Sequence, residues 1–341
     1  MKSAEIDLSI CIPTFNRLNC LKNCLNSIYI ASKNSNLNFE VCISDNNSLG
    51  NAQQIINHYK KDIKITYRIN KVNIGLGKNI VNAVSLSRGE FAWIIGNDDL
   101  MLPNTFKILE KLFKDKKNCE FFFINSFHLN SSFVFQYEQP FDTNLLPKNM
   151  EPLSKLEKSY ETKYLNLIDR NVSFDFMLGM FLSIFKRKKW IDNLKVLNPK
   201  LLDDSRLYSN FDNTCPHAKI FSSAFSKSNA WFQAEPLSIN LKGEREWGDL
   251  YPLVESIRIP ELIDNYRFNG LPFLKYLIYK NHTLRKLIPS LFRMVFLKEY
   301  KGLEYINFKK HILKNIFFPS IYLGGIYYVV LFFIKSLSKK K

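Results

Sequence analysis

Apolar runs of strand length alternate with helix-spaced apolar positions through the first half of the chain. Residues 8–13 (LSICIP) form the first run, of a length and character that predict a buried strand. After Thr14, Phe15, Asn16 and Arg17 come Leu18, Leu21, Leu25 and Ile28, whose three- and four-residue spacing predicts a helix. Residues 39–44 (FEVCIS) predict a second strand, stopped by the turn cluster Asp45, Asn46, Asn47 and Ser48. Residues 63–69 alternate as a third strand, and residues 77–86 carry helical spacing. Residues 91–95 (FAWII) predict a fourth strand that ends at Gly96, Asn97, Asp98 and Asp99. Pro103 opens a helix over 105–113, and residues 120–127 (EFFFINSF) are apolar enough for a deeply buried fifth strand. Strands alternating with helices predict an α/β chain with a mostly parallel, helix-covered sheet.

The second half is less regular. Residues 130–152 show no periodicity and predict a loop region or lid. Strands are expected at 181–185 and 231–240, with a helix over 216–225 between them. From about residue 271 the chain reads as a basic helical appendage, and no internal repeat is present. The expected organisation is a domain over 1–240, divided into halves over 1–128 and 129–240, followed by a C-terminal region over 241–341.

Charge sharpens this division. Of the net +17, +12 lies in residues 271–341, where 14 Lys or Arg stand against only Glu299 and Glu304. The same block holds the uncharged stretch 315–334 (NIFFPSIYLGGIYYVVLFFI), with lysines at 309, 310 and 314 before it and at 335 and 339–341 after it. Its 20 residues would just span a bilayer, but Pro319 and Gly324–Gly325 interrupt it and lysines flank both ends. A surface-lying anchor on anionic lipid is the expectation, with a buried helix and a true span as alternatives. The N-terminus lacks a signal-peptide pattern, and the six cysteines form no CxxC. Cys20 and Cys24 share a helix face and suggest core packing. A cytoplasmic protein, peripherally associated with the inner face of the membrane, is therefore expected.

The chemistry gathers at three loops that leave the carboxyl ends of predicted strands: 14–17, 45–48 and 96–99. Ligands of open α/β sheets bind at that edge. Asp45 could accept from a nucleobase N–H, or simply close an Asx turn. Asp98 and Asp99 stand ahead of Pro103 by more than a helix cap requires, so a ribose or a divalent cation on phosphate oxygens is the stronger reading.

Taken together, CIPTFNR, FEVCISDNNS and NKVNIGLGKNIVNAVSLSRGEFAWIIGNDDLMLP resemble the family 2 glycosyltransferases of GT-A fold over about residues 5–115. The resemblance implies a nucleotide-sugar donor held by Thr14, Asn16, Arg17, Asp45, Asn73, Gly75, Asn79 and Asp98. It also implies a divalent cation (Mg or Mn) at Asp99. Two departures stand out. The acidic motif of the family commonly reads Asp-x-Asp-Asp, whereas Gly96 occupies the first position here. The Glu-Asp pair that carries the base in many relatives is replaced by Asp212-Asn213-Thr214-Cys215-Pro216-His217. That variant resembles bacterial enzymes that add dideoxyhexoses such as abequose to O-antigen intermediates. It implies a glycan or lipid-linked glycan acceptor in surface polysaccharide assembly.

An inverting sugar transfer needs a base for the acceptor hydroxyl, and His217 is the first candidate, with Asp212 the alternative. A helix-start histidine bonded to backbone is the competing reading. Trp231, Phe232 and Trp247 are candidates for an apolar face against a sugar or lipid, and core packing competes, most strongly at Trp231. Other function classes fit poorly. Gly75-Leu76-Gly77 has no third glycine for a dinucleotide fingerprint, no P-loop is present, and CIPTFNR lacks the Gly-rich signature of a sugar nucleotidyltransferase. Nucleic acid is not an expected partner, because the basic charge lies beside the apolar tail and no recognised module accompanies it.

Overall fold

The structure is a computed structural model that describes residues 6–33, 35–243 and 247–338. Part of the polar run before Trp247 (244–246) and the terminal lysines at 339–341 lie outside the described residues.

Strands β1 (Leu8–Thr14) and β2 (Phe39–Asp45) are buried almost throughout, which is why they read as continuous apolar runs and not as alternating ones. They are joined by α1 (Leu18–Ser32), whose Leu21, Cys24, Leu25 and Ile28 face the sheet. After α2 (Ala52–Tyr59) come β3 (Ile65–Ile69), α3 (Leu76–Ser85) and β4 (Phe91–Ile94). The order β3-β2-β1-β4 is parallel throughout.

Beyond β4 the sheet becomes mixed. A three-residue strand β5 (Asp99–Met101) precedes α4 (Thr105–Asp115) and β6 (Phe121–Asn130). Short strands β7 (Glu151–Pro152) and β8 (Tyr160–Lys163) and then β9 (Ser183–Lys186) follow. Two adjoining helices, α5 (Phe211–Thr214) and α6 (Pro216–Phe225), lead into the long β10 (Asn229–Lys242). The sheet continues β4-β9-β6-β10-β5, with β10 parallel to β6 but antiparallel to β5 and β8. Apolar cores cover both of its faces.

Residues 130–152, expected as a loop or lid, are pinned to α1. Phe141 is fully buried, its N–H donates to Asn23 Oδ1 (2.9 Å), and its carbonyl accepts from Asn26 (2.9 Å). One aromatic residue without periodic neighbours gave no pattern to read.

The C-terminal region is helical: α7 (Ile259–Phe268), α8 (Phe273–Leu284), α9 (Leu287–Phe296) and α10 (Ser320–Ser338). α7 packs into the sheet core through Leu262, Ile263 and Tyr266, while a further cluster that includes Tyr208, Leu253, Ile257, Leu284, Leu287 and Ile321 joins α8, α9 and α10. Pro319 stands just before α10. The glycine pair does not break that helix and instead lets it pack closely, since a Cβ at Gly324 would lie 2.0 Å from the Arg285 carbonyl oxygen. Among the described residues no helix is long and apolar enough to cross a membrane. Nor is α10 buried: Leu323, Ile326, Tyr327 and Val330 are all exposed.

Candidate active site

At the carboxyl edge of the sheet, Asn16 and Arg17 both adopt left-handed backbone (φ 58° and 30°), turning the chain sharply out of β1. The turn is locked from the second loop, because Asn16 N–H donates to Ser48 Oγ (2.7 Å) and Leu49 N–H donates to Asn16 Oδ1 (3.0 Å). Arg17 then reaches the third loop and pairs with Asp98 (3.0 Å). Thr14 joins the same loop by accepting from Asn97 Nδ2 (2.8 Å). The three loops singled out in the sequence therefore form one hydrogen-bonded edge.

Several expected donor residues also carry the local architecture. Asp45 accepts from Ser48 N–H and from the Tyr67 hydroxyl (both 2.8 Å), so it closes an Asx turn and anchors β3. Asn79, buried in α3, accepts from Ser44 Oγ (2.7 Å) and donates to the Ser44 and Thr14 carbonyls, bracing β1 against β2. Asn73 accepts from Asn46 (2.7 Å) and from Gly75 N–H (2.9 Å). Gly75 itself has φ +82°, a conformation that favours glycine. Gly77 brings α3 against α5, since a Cβ there would lie 2.4 Å from the Asn213 carbonyl oxygen.

Asp99 is the first residue of β5 and is 2% exposed. One carboxylate oxygen accepts from Gly96 N–H (2.6 Å) and the other from Asn240 Nδ2 (2.9 Å), its cross-strand partner on β10. Gly96, which stands where the family places its first Asp, has no room for a side chain: a Cβ there would lie 2.5 Å from Asp98 Oδ1. Installing the missing carboxylate as Gly96→Asp is therefore expected to weaken nucleotide binding by about tenfold, because Asp98 must swing away from Arg17. A nucleotide titration of the variant checks this, and tighter metal-dependent binding would contradict it.

Asp98 and Asp99 form one wall of a cavity of about 240 Å³. Thr214 and His217, at the junction of α5 and α6, form part of another, and Tyr208, Trp247 and Tyr251 close it from the C-terminal side. His217 is almost wholly buried, and its Nε2 lies 2.6 Å from the Leu178 carbonyl oxygen. A carbonyl can only accept, so Nε2 carries the proton and Nδ1 the lone pair. Among the described residues Nδ1 has no hydrogen-bond partner. Burial lowers the His217 pKa to about 4, against a smaller upward pull from the Leu178 carbonyl, so the ring is neutral at pH 7.

Asp212, the alternative base, does not line this cavity. It is buried against Lys219 (2.7 Å) and accepts from Asn198 N–H (2.6 Å), which makes it an anchor for the start of α6. Of the three aromatic candidates only Trp247 lines the cavity, stacked on Tyr251 and edge-on to Tyr208. Phe232 stacks on Phe123 in the core, and Trp231 lies under Lys116.

Sequence reasoning did not find Asp175, Tyr208 or Glu255, all of which line the cavity. Asp175 accepts from Ser173 Oγ and Gly179 N–H, and burial raises its pKa against these bonds. It precedes two buried residues in left-handed backbone, Phe176 (φ 52°) and Met177 (φ 71°). Strain of that kind is held only where surrounding contacts enforce it. Here the strained loop carries the Leu178 carbonyl that fixes the His217 tautomer. No periodicity marks this segment, so only the fold reveals it.

Among the described residues no group of three or more His, Cys, Asp or Glu is placed to hold a metal ion. The oxygen donors of Asp98 and Asp99 nonetheless suit a hard cation that takes its remaining ligands from substrate phosphates and water.

Known proteins resemble the chain in sequence over part of its length and in fold over most of it. The chain is 40% identical over 105 residues to abequosyltransferase RfbV of Salmonella typhimurium, a stretch that is 30% of this chain and 31% of RfbV. It is 37% identical over 79 residues to the uncharacterized glycosyltransferase MJ1057 of Methanocaldococcus jannaschii, covering 23% of this chain and 26% of that protein. These matches thus span about a third or less of the curated relatives' length. In structure the chain is similar to S. aureus TarS 1-349 solved with UDP-GlcNAc, with a TM-score of 0.55 at 17% identity over 93% of this chain and 79% of that one. The fold is GT-A, a mixed sheet flanked by helices and followed here by a helical C-terminal region. The family model described as glycosyl transferase family 2 matches residues 9–182, about half of the chain, which therefore belongs to that family.

Proposed function

We propose that the protein transfers a sugar, with inversion, from a nucleoside-diphosphate donor of the CDP or UDP type to a hydroxyl of a glycan acceptor. One observation carries this reading: a single cavity is lined by an acidic pair and by His217, whose buried Nδ1 has no hydrogen-bond partner among the described residues. The nucleoside lies along Thr14, Asn16, Arg17, Asp45, Asn73, Gly75 and Asn79, with the diphosphate toward Asp98 and Asp99. Mg or Mn bound at the acidic pair would supply positive charge to the departing diphosphate. Arg17, held by Asp98 at that edge, adds a fixed cation of the protein's own.

His217 Nδ1 takes the proton of the acceptor hydroxyl. The hydroxyl oxygen bonds to the anomeric carbon on the face opposite the diphosphate. The carbon–oxygen bond to the diphosphate breaks, and its electron pair leaves on the phosphate oxygen. Trp247, Tyr208 and Tyr251 offer aromatic faces for the acceptor sugar.

The same reading places the enzyme on the cytoplasmic face of the membrane, with a lipid-linked glycan of O-antigen or capsule type as acceptor. The basic, apolar-faced C-terminal helices and the similarity to an abequosyltransferase support it. The test is a panel of nucleotide sugars, with and without Mn, scored by thermal shift and by release of nucleoside diphosphate. At least one CDP- or UDP-sugar is expected to stabilise the chain and to be turned over, and a panel without any response would overturn the proposal.

A further inference from the structure

A second and larger cavity, of about 580 Å³, lies away from the sheet, between α9 and α10. Arg285, Lys286 and Arg293 stand along it, and its other walls are mainly apolar, including Pro289, Leu323, Tyr327 and Leu331. Glu255 is the carboxylate set against these cations. It accepts from Arg293 (3.3 Å) and Ser290 Oγ (2.9 Å) and lies 3.9 Å from Lys286 Nζ. Arg285 is exposed, and among the described residues its guanidinium lies 3.4 Å from the ring Nδ1 of His282, whose pKa is lowered to about 4 by burial and by Arg285 itself. Three cations against one carboxylate leave the groove positive.

Around the groove the surface is apolar. Leu323, Ile326, Tyr327, Val330 and Ile334 recur at helical spacing along the exposed side of α10. Phe292 and Phe296 of α9 are exposed as well and lie ring against ring, with Phe292 also against Tyr328 of α10, and Phe317 is 86% exposed. An exposed apolar helix face flanked by basic residues is the pattern of a helix lying in a membrane interface. Water alone gives no reason for it. The cavity is also far too large and too apolar for an inorganic anion by itself.

We propose that this groove binds a membrane lipid whose phosphate headgroup is net anionic, with the phosphate on Arg285, Lys286 and Arg293 and the hydrocarbon chain along Leu323, Tyr327 and Leu331. The proposal deepens the membrane part of the reading above and does not depend on the donor site. The groove is linked to the cavity that holds His217 through one ion pair, because Glu255 lines that cavity and accepts from Arg293, which lines the groove.

The test is co-sedimentation of the full-length chain with phosphatidylcholine vesicles, with and without phosphatidylglycerol. Binding is expected only where phosphatidylglycerol is present. Combined Arg285→Gln, Lys286→Gln and Arg293→Gln should weaken it about a hundredfold. Combined Lys298→Gln, Lys309→Gln and Lys314→Gln removes the same charge from exposed positions outside the groove and should cost less than tenfold. Tyr327→Glu, at an exposed position, should weaken binding as the groove triple does. Each variant is first shown to keep the wild-type thermal shift with nucleotide, so that a folding defect or a failure of the donor assignment is read separately. Equal loss in the two triples, equal binding to both vesicle types, or displacement from vesicles by inorganic phosphate would each overturn the assignment.

Discussion

His217→Gln is expected to lower kcat by about 10²–10⁴-fold while leaving the affinity for donor nucleotide unchanged. The carboxamide can still donate to the Leu178 carbonyl, so the ring's anchoring bond has a substitute, but it offers no basic nitrogen at the Nδ1 position. Single-turnover rates set beside nucleotide titrations separate the two effects, and unchanged turnover would remove the imidazole from the reaction. The same substitution has a signature in stability. Folding holds this group near pKa 4, below its ordinary value of 6.5, so the unfolded chain takes up a proton first as the pH falls. The native state therefore keeps its full stability above pH 6.5 and loses up to about 3 kcal/mol between pH 6.5 and pH 4. Denaturation midpoints measured across that window should fall more steeply for the wild type than for the Gln variant.

The second large effect is expected at Asp99. Its two oxygens accept from Gly96 N–H and Asn240 Nδ2, so an amide in its place turns one acceptor into a donor facing a donor. Asp99→Asn is expected to weaken Mn-dependent nucleotide binding by about 10–100-fold. The residual binding should match what the wild type shows without metal. Calorimetric titration of UDP with and without Mn checks this. If wild-type affinity is the same in both conditions, the acidic pair has no metal-dependent part in holding the donor.

How much of this was visible in the sequence follows from where each signal originates. Strands β1, β2 and β4 were legible because burial on both faces writes an uninterrupted apolar run. Asp98 and Asp99 stood out at the exit of such a run and His217 at a helix start, and the fold brings all three to one cavity. Strand β5 was not, for three residues carry no period, and its pairing depends on Ser238, Ile239 and Asn240 far along the chain. Asp175 sits in a segment without periodicity and Glu255 in a helical segment far along the chain, and only folding brings them to the cavity. Residue type could not show that Asp212 lies outside the cavity lining and pairs with Lys219 at the start of α6. The glycine pair of α10 looked like an interruption because sequence shows the missing side chains but not Arg285 lying against them.

The cross-strand bond between Asp99 and Asn240 joins residues 141 positions apart, and this sets an order of assembly. During synthesis the loops at 14–17, 45–48 and 96–99 emerge early, and Arg17 and Gly96 can already meet Asp98 and Asp99, but Asp99 lacks its second partner until β10 has left the ribosome and slotted between β6 and β5. Contacts of such long sequence separation form late. A nascent or truncated chain ending before residue 229 carries the motif without this part of its scaffold.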